Sequence, residues 1–141
     1  EPVGPVKLGG YCAAIEFIFE KGMYGIHMLP HRLAKRFFES VKSMDAVEVY
    51  GDFGTNTRIS TVSIRVNGFT PEQVHEHMLT KYGIVCKPGL HEAKRMHEAL
   101  GTAETGLTRF SFGYFNNRME VNDTIWALMD LLGLDDLYLL A

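Results

Sequence analysis

The sequence predicts an α+β domain: a small, mostly antiparallel sheet with helices packed on it. Three observations predict it. Short segments of alternating apolar and polar residues, of which Ile59 to Val66 is the clearest, are interleaved with segments of helical period. Turn residues separate them at short intervals. Two helix starts carry capping boxes, Thr70-x-x-Gln73 and Asn117-x-x-Glu120. The order reads α-α-β-β-α-β-α-β-α, as one domain.

Residues 1–10 hold Pro2, Gly4, Pro5, Gly9 and Gly10 and are expected to be an extended lead-in. Residues 11–44 are expected to be connecting helices. In the first, Ala14, Ile15, Ile18 and Phe19 fall at helical spacing before a stop at Gly22. Residues 25–29 are ambiguous, and Pro30 suits a first helical turn, where its missing N–H costs nothing. The second helix then buries Leu33, Phe37, Val41 and Met44, with Ala34 and Phe38 beside them. Arg32, Lys35, Arg36, Glu39 and Lys42 make its solvated face.

Residues 45–132 are the expected α+β core. Ala46 to Tyr50 is a strand, Gly51 to Thr57 a turn, and Ile59 to Val66 a strand with Val62, Ile64 and Val66 inward. Thr70 caps a helix that has Pro71 at its first position, an apolar stripe of Val74, Met78 and Tyr82, and Gly83 as its stop. Ile84 to Lys87 reads as a short strand, Pro88-Gly89 as a turn, and Leu90 to Leu100 as a helix. Thr102 to Gly106 is a polar loop. Leu107 to Tyr114 is the last strand, and a helix from Arg118 to Leu132 places Val121, Ile125, Leu128 and Leu132 on one face. Residues 133–141 form an apolar tail.

A chain of 141 residues with 46% hydrophobic and 22% charged residues can bury a real core. A net charge of -3 leaves no footprint for nucleic acid or an anionic membrane. No apolar run approaches the roughly 20 residues of a membrane span. Cys12 and Cys86 make neither a disulfide framework nor a zinc spacing, which fits a reducing, cytoplasmic setting. The opening residues do not read as a signal peptide, and, with no Met at the start, the chain reads as a fragment or a processed product. His75 and His77 point to different helix faces, and His91 and His97 are poorly spaced for a shared ion, so no metal is expected. Most of the six histidines are expected at surface or half-buried positions.

The most informative stretch is Gly106 to Ile125. Alternation puts Phe110, Phe112 and Tyr114 on one strand face and Leu107, Arg109, Ser111 and Gly113 on the other. A cation fixed on a strand opposite a wall of aromatics can receive an anion; taken alone, it reads more simply as an ordinary solvated strand arginine. Cys86 lies in the apolar run Ile84-Val85-Cys86, where a thiol is usually inert packing.

Arg109, Ser111, Phe115, Asn116, Glu120 and Val121, in that order, resemble the end of the class V aminotransferase family, which includes the cysteine desulfurases. Gly83, Ile84, Gly89, His91 and Ala93 resemble an upstream segment of the same family, with Lys87 in the usual arginine place and Glu92 in the cysteine place. The opening EPVGPVKLGGYCAAIEFI resembles the stretch leading back from the family's large domain. The resemblance covers nearly the whole chain.

It implies the C-terminal small domain of a fold type I enzyme that depends on pyridoxal phosphate. Such an enzyme would act on a small amino acid, work as a homodimer, and bind its cofactor mainly through a large domain absent here. Arg109 would grip the substrate carboxylate, Gly89, Leu90, His91 and Glu92 would close over the site, and Asn116 would fix the turn beyond it. No catalytic residue is expected in this chain. None of its seven lysines stands in a Schiff-base motif, and the phosphate-reaching place reads Val3-Gly4-Pro5, without threonine. Glu92 cannot carry a persulfide, and reads most simply as a carboxylate at a helix N-terminus. A stand-alone module binding a small acid or a protein partner is the alternative.

Overall fold

The computed structural model describes residues 4–51, 53–55 and 58–134. Two helices lead, α1 (Pro5–Lys21) and α2 (Met23–Val41), followed by β1 (Val47–Tyr50), β2 (Thr61–Val66), α3 (Pro71–Tyr82), β3 (Lys87–Gly89), α4 (Lys94–Ala99), β4 (Leu107–Ser111) and α5 (Arg118–Leu132). The sheet has the order β1-β2-β4-β3, and all three pairings are antiparallel. This is the expected α+β architecture, with the predicted order of elements.

One sheet face carries the core. Val62, Ile64 and Phe110 look toward Phe37 and Val41 of α2, Val74 and Met78 of α3, and Val121, Ile125 and Leu128 of α5. The Phe37 ring lies 4.8 Å from Phe110 and 5.5 Å from Phe112. Polar clasps tie the helices at their rims. Arg36 Nε donates to Asn122 Oδ1 at 2.9 Å, and Lys81 Nζ donates to Asp130 at 2.6 Å. The opposite sheet face is partly covered by α4.

Four local expectations need correction. The lead-in is helical from Pro5, not extended to residue 10, because Gly4 caps in an extended conformation and Pro5 takes the first helical position. Pro30 lies inside α2, whose buried face begins with Pro30 and His31 and continues through Leu33. Ile84 is no strand residue: its N–H donates to the Met78 carbonyl at 3.0 Å and closes α3 behind Gly83. The strand is therefore Lys87–Gly89, and Pro88 is tolerated there because β3 is an edge strand. Finally, α4 starts at Lys94 and not at Leu90, because His91 and Glu92 have φ of 53° and 60°, which no right-handed helix admits. Glu92 thus precedes the helix and is not a residue of its first turn.

Both capping boxes are present. Of the apolar tail, Leu134 packs against the core, and residues 135–141 lie outside the described residues, as do residues 1–3 of the lead-in. Among the described residues no helix is long and apolar enough to cross a membrane.

Candidate functional site

Arg109 stands in the middle of β4, an interior strand, paired with Ser63 of β2 on one side and Lys87 of β3 on the other. Side chains alternate, so Arg109 leaves the sheet on the face opposite Phe110. There it lines a cavity of about 370 Å³, together with Tyr50, Arg58, Ser63, His91 and His97. Leu107, Met96 and Leu100 form its apolar wall. The Nε of Arg109 is buried without a hydrogen-bond partner. A buried guanidinium N–H with nothing to donate to is costly, and such a group calls for an acceptor brought by something else.

The loop from β3 to α4 brings His91 to the same cavity. Its Nε2 donates to the Lys87 carbonyl at 2.9 Å, since a carbonyl can only accept. Burial pushes the His91 pKa below 6.5, and the charges of Arg109 and His97 push the same way, while hydrogen bonding to backbone carbonyls opposes them. The loop can run this close to β4 because Gly89 and Gly106 face each other: a Cβ on Gly106 would meet Gly89 Cα at 2.9 Å. Both glycines also have positive φ, 94° and 65°.

The other residues singled out in the sequence lie apart from this cavity. Glu92 points to solvent and pairs with Lys87 Nζ at 3.2 Å. Asn116 fixes the strand-to-helix turn: its Oδ1 accepts from the Gly113 N–H at 2.7 Å, and its Nδ2 donates to Glu120 at 2.9 Å. It lines a different surface cavity, with Glu120 and Asp123. Cys86 is buried, with Sγ 3.7 Å from His75 Nδ1, and burial pushes its thiol up to about 11. The expectation of inert packing fits that position.

Sequence reasoning missed Arg58 and His97. Arg58 stacks on Phe53, 3.5 Å from the ring centroid, and donates to the Thr61 carbonyl at 2.7 Å. His97 is 2% exposed and Thr102 is 0% exposed; His97 and His31, at 6%, are the two buried histidines, while His27, His75, His77 and His91 are half-buried, in keeping with the expectation for most of the six. A histidine five residues before a threonine gives no periodic signal. Its role becomes visible only once α4 is folded back on β4.

The cavity has two arginines, Arg58 and Arg109, and no lysine or carboxylate among its described lining residues. Pyridoxal phosphate needs an amine to hold it, an acid at its ring nitrogen and a phosphate cradle. The donor set here does not fit that group, and no step through it is assigned to this chain.

An antiparallel sheet with helices banked on one face, in this order of elements, has clear counterparts in known proteins. The aminotransferase class-V family model matches residues 4–123, and the chain belongs to that family. It is 30% identical over 129 residues to a cysteine desulfurase from Haloferax volcanii, covering 88% of this chain and 28% of that protein. A probable cysteine desulfurase from Halobacterium salinarum is 29% identical over 119 residues. The fold is similar to that of the apo cysteine desulfurase from Thermococcus onnurineus NA1, with a TM-score of 0.79 and 28% identity over 86% of this chain and 29% of that one. An Escherichia coli cysteine desulfurase, CsdA in an S-sulfonic acid form, shares the fold with a TM-score of 0.75 at 21% identity. The chain thus spans less than a third of the length of these relatives.

Proposed function

We propose that this chain is the substrate-side domain of a pyridoxal-phosphate-dependent, class V aminotransferase-like enzyme that acts on a small amino acid. The single observation that carries the reading is the orphaned, buried Nε of Arg109 at the cavity wall. A guanidinium meets a carboxylate with two parallel hydrogen bonds, and Nε–H is one of the donors such a pair uses. The β4 strand fixes the direction of the group, and the buried Leu107 gives it an apolar neighbour, which strengthens the contact. His91, whose protonation is disfavoured by burial and by the Arg109 charge, shapes the cavity without competing for the anion.

The cofactor and its lysine then belong to the rest of a longer protein, and the reaction subtype is set there. Glu92 in the cysteine place argues for chemistry other than persulfide formation on this loop. The same reading takes the complete enzyme as a cytoplasmic homodimer.

The test compares substrates with and without their carboxylate, in the complete enzyme and its Arg109→Lys variant. Loss of a charge-assisted hydrogen bond is worth about 1.5–3 kcal/mol. The variant is therefore expected to lower kcat/KM by roughly 10-fold to 150-fold, with most of the preference for the carboxylate form lost. Unchanged preference in a folded, cofactor-loaded variant would contradict the assignment.

A further inference from the structure

The wall of the Arg109 cavity rests on a turn that side-chain-bearing residues seldom adopt. His91 and Glu92 are consecutive, and both have positive φ. Such a conformation persists only where its surroundings hold it. Three contacts are candidates. Lys87 Nζ reaches Glu92 at 3.2 Å, but side-chain exposures of 49% and 88% make that pair weak. The Ala93 N–H donates to the Leu90 carbonyl at 2.9 Å. The His91 ring donates to the Lys87 carbonyl from a half-buried position, and it is the anchor of the turn.

Behind that ring lies His97, with the two ring centroids 5.3 Å apart and tilted by 55°. His97 Nδ1 is 2.8 Å from Thr102 Oγ1, and the Thr102 N–H donates to the His97 carbonyl at 2.8 Å. Filling this space alone would call for apolar residues, which need no desolvation. A buried pair joined by a hydrogen bond fixes orientation as well.

We propose that His97 is a positioning residue: bracketed by Thr102, it holds the His91 ring against the Lys87 carbonyl and keeps the 91–92 turn as a fixed wall of the Arg109 cavity. The groups around His91 agree with this. Arg109 on β4 and His97 on α4 disfavour its protonation, together with burial, while the Lys87 and Leu107 carbonyls oppose them; Glu92 is turned away to Lys87. His91 thus stays a neutral Nε2–H donor near pH 7. The purpose assigned to the wall rests on the carboxylate reading of Arg109, whereas the bracket itself does not.

The experiment is imidazole and amide NMR of the 141-residue chain, in wild type, Thr102→Val, Thr102→Ser and His97→Asn. Wild type is expected to show His91 as the Nε2–H tautomer, titrating below 6.5. Thr102→Val removes only the hydroxyl. It is expected to mix the His91 tautomers, move the midpoint, and speed exchange of the Ala93 amide roughly 10-fold, with the Phe37 and Phe110 signals of the core in place. Thr102→Ser should restore the wild-type signature. His97→Asn keeps a polar partner for Thr102 but no ring against His91, and is expected to lose the signature. A wild-type His91 signature in either Thr102→Val or His97→Asn would overturn the proposal. So would a Thr102→Ser protein that behaves like Thr102→Val. None of these readouts uses a substrate, so the bracket can fail while Arg109 still binds a carboxylate, and the reverse.

Discussion

At the scale of single residues, the molecule separates two groups that sequence alone leaves comparable. Arg109 and Cys86 are both polar groups near apolar runs. Arg109 keeps a buried N–H without a partner and faces a cavity. Cys86 is 4% exposed within the core cluster. Burial disfavours the thiolate, so the thiol, at about 11, is protonated throughout the neutral range. At pH 8 only about one molecule in 10³ would carry the thiolate, before any loss of access is counted. Iodoacetamide at pH 8 is therefore expected to label Cys12, which is exposed, and to leave Cys86 unmodified in the folded chain. The labelling of Cys86 should rise as pH climbs toward 11, and appear at once in urea. Rapid labelling of Cys86 at pH 8 without unfolding would contradict its burial. The strand position of Arg109 was legible because polar and aromatic residues alternate over Arg109 to Phe112. Its partners were not, because His97, Tyr50 and Arg58 reach the cavity only through tertiary folding.

At the scale of elements, local chemistry decided what sequence could tell. Caps are local, so the starts of α3 and α5 came out at the expected residues. Asn117 Oδ1 accepts from the Met119 and Glu120 amides at 2.8 and 3.1 Å, and Glu120 reaches back to the Asn117 amide at 3.1 Å. Asn117→Ala should lower stability by about 1 kcal/mol, within a range of roughly 0.5–2, and Asn117→Asp should lose much less. Urea unfolding of the three proteins measures this; equal stability of wild type and Asn117→Ala would mean that the box contributes nothing. Strand β3 is the opposite case. Its residues Lys87, Pro88 and Gly89 have poor strand propensity, and the pairing with β4 that makes them a strand is non-local. Helix α1 is a third case. Its apolar spacing was legible, but it buries no residue, and Ile15 is 53% and Phe19 81% exposed. Apolar surface of this kind tends to acquire a partner. The proposed homodimer predicts that the chain sediments as a dimer or larger species at high concentration, and that Ile15→Glu with Phe19→Glu shifts it to monomer. A monomer at all concentrations would count against it.

At the scale of the whole molecule, the α+β class was legible because each helix and most strands announce themselves by period. The family resemblance was legible because its matched residues sit at turns whose geometry needs them. Gly89 has a φ of 94°, which favours glycine, and Asn116 bridges Gly113 and Glu120 across the β4–α5 turn. The proposed function amounts to a division of labour, in which this chain supplies the carboxylate-binding wall of a site and the rest of a longer protein holds the cofactor. The cavity supports the first half of it, with Arg109 and Arg58 among its lining residues. The most direct test is to incubate the 141-residue chain with pyridoxal phosphate, reduce with borohydride, and map the attached groups by peptide mass spectrometry. Sparse labelling spread over the surface lysines is the predicted result. Stoichiometric labelling of one lysine would contradict the claim.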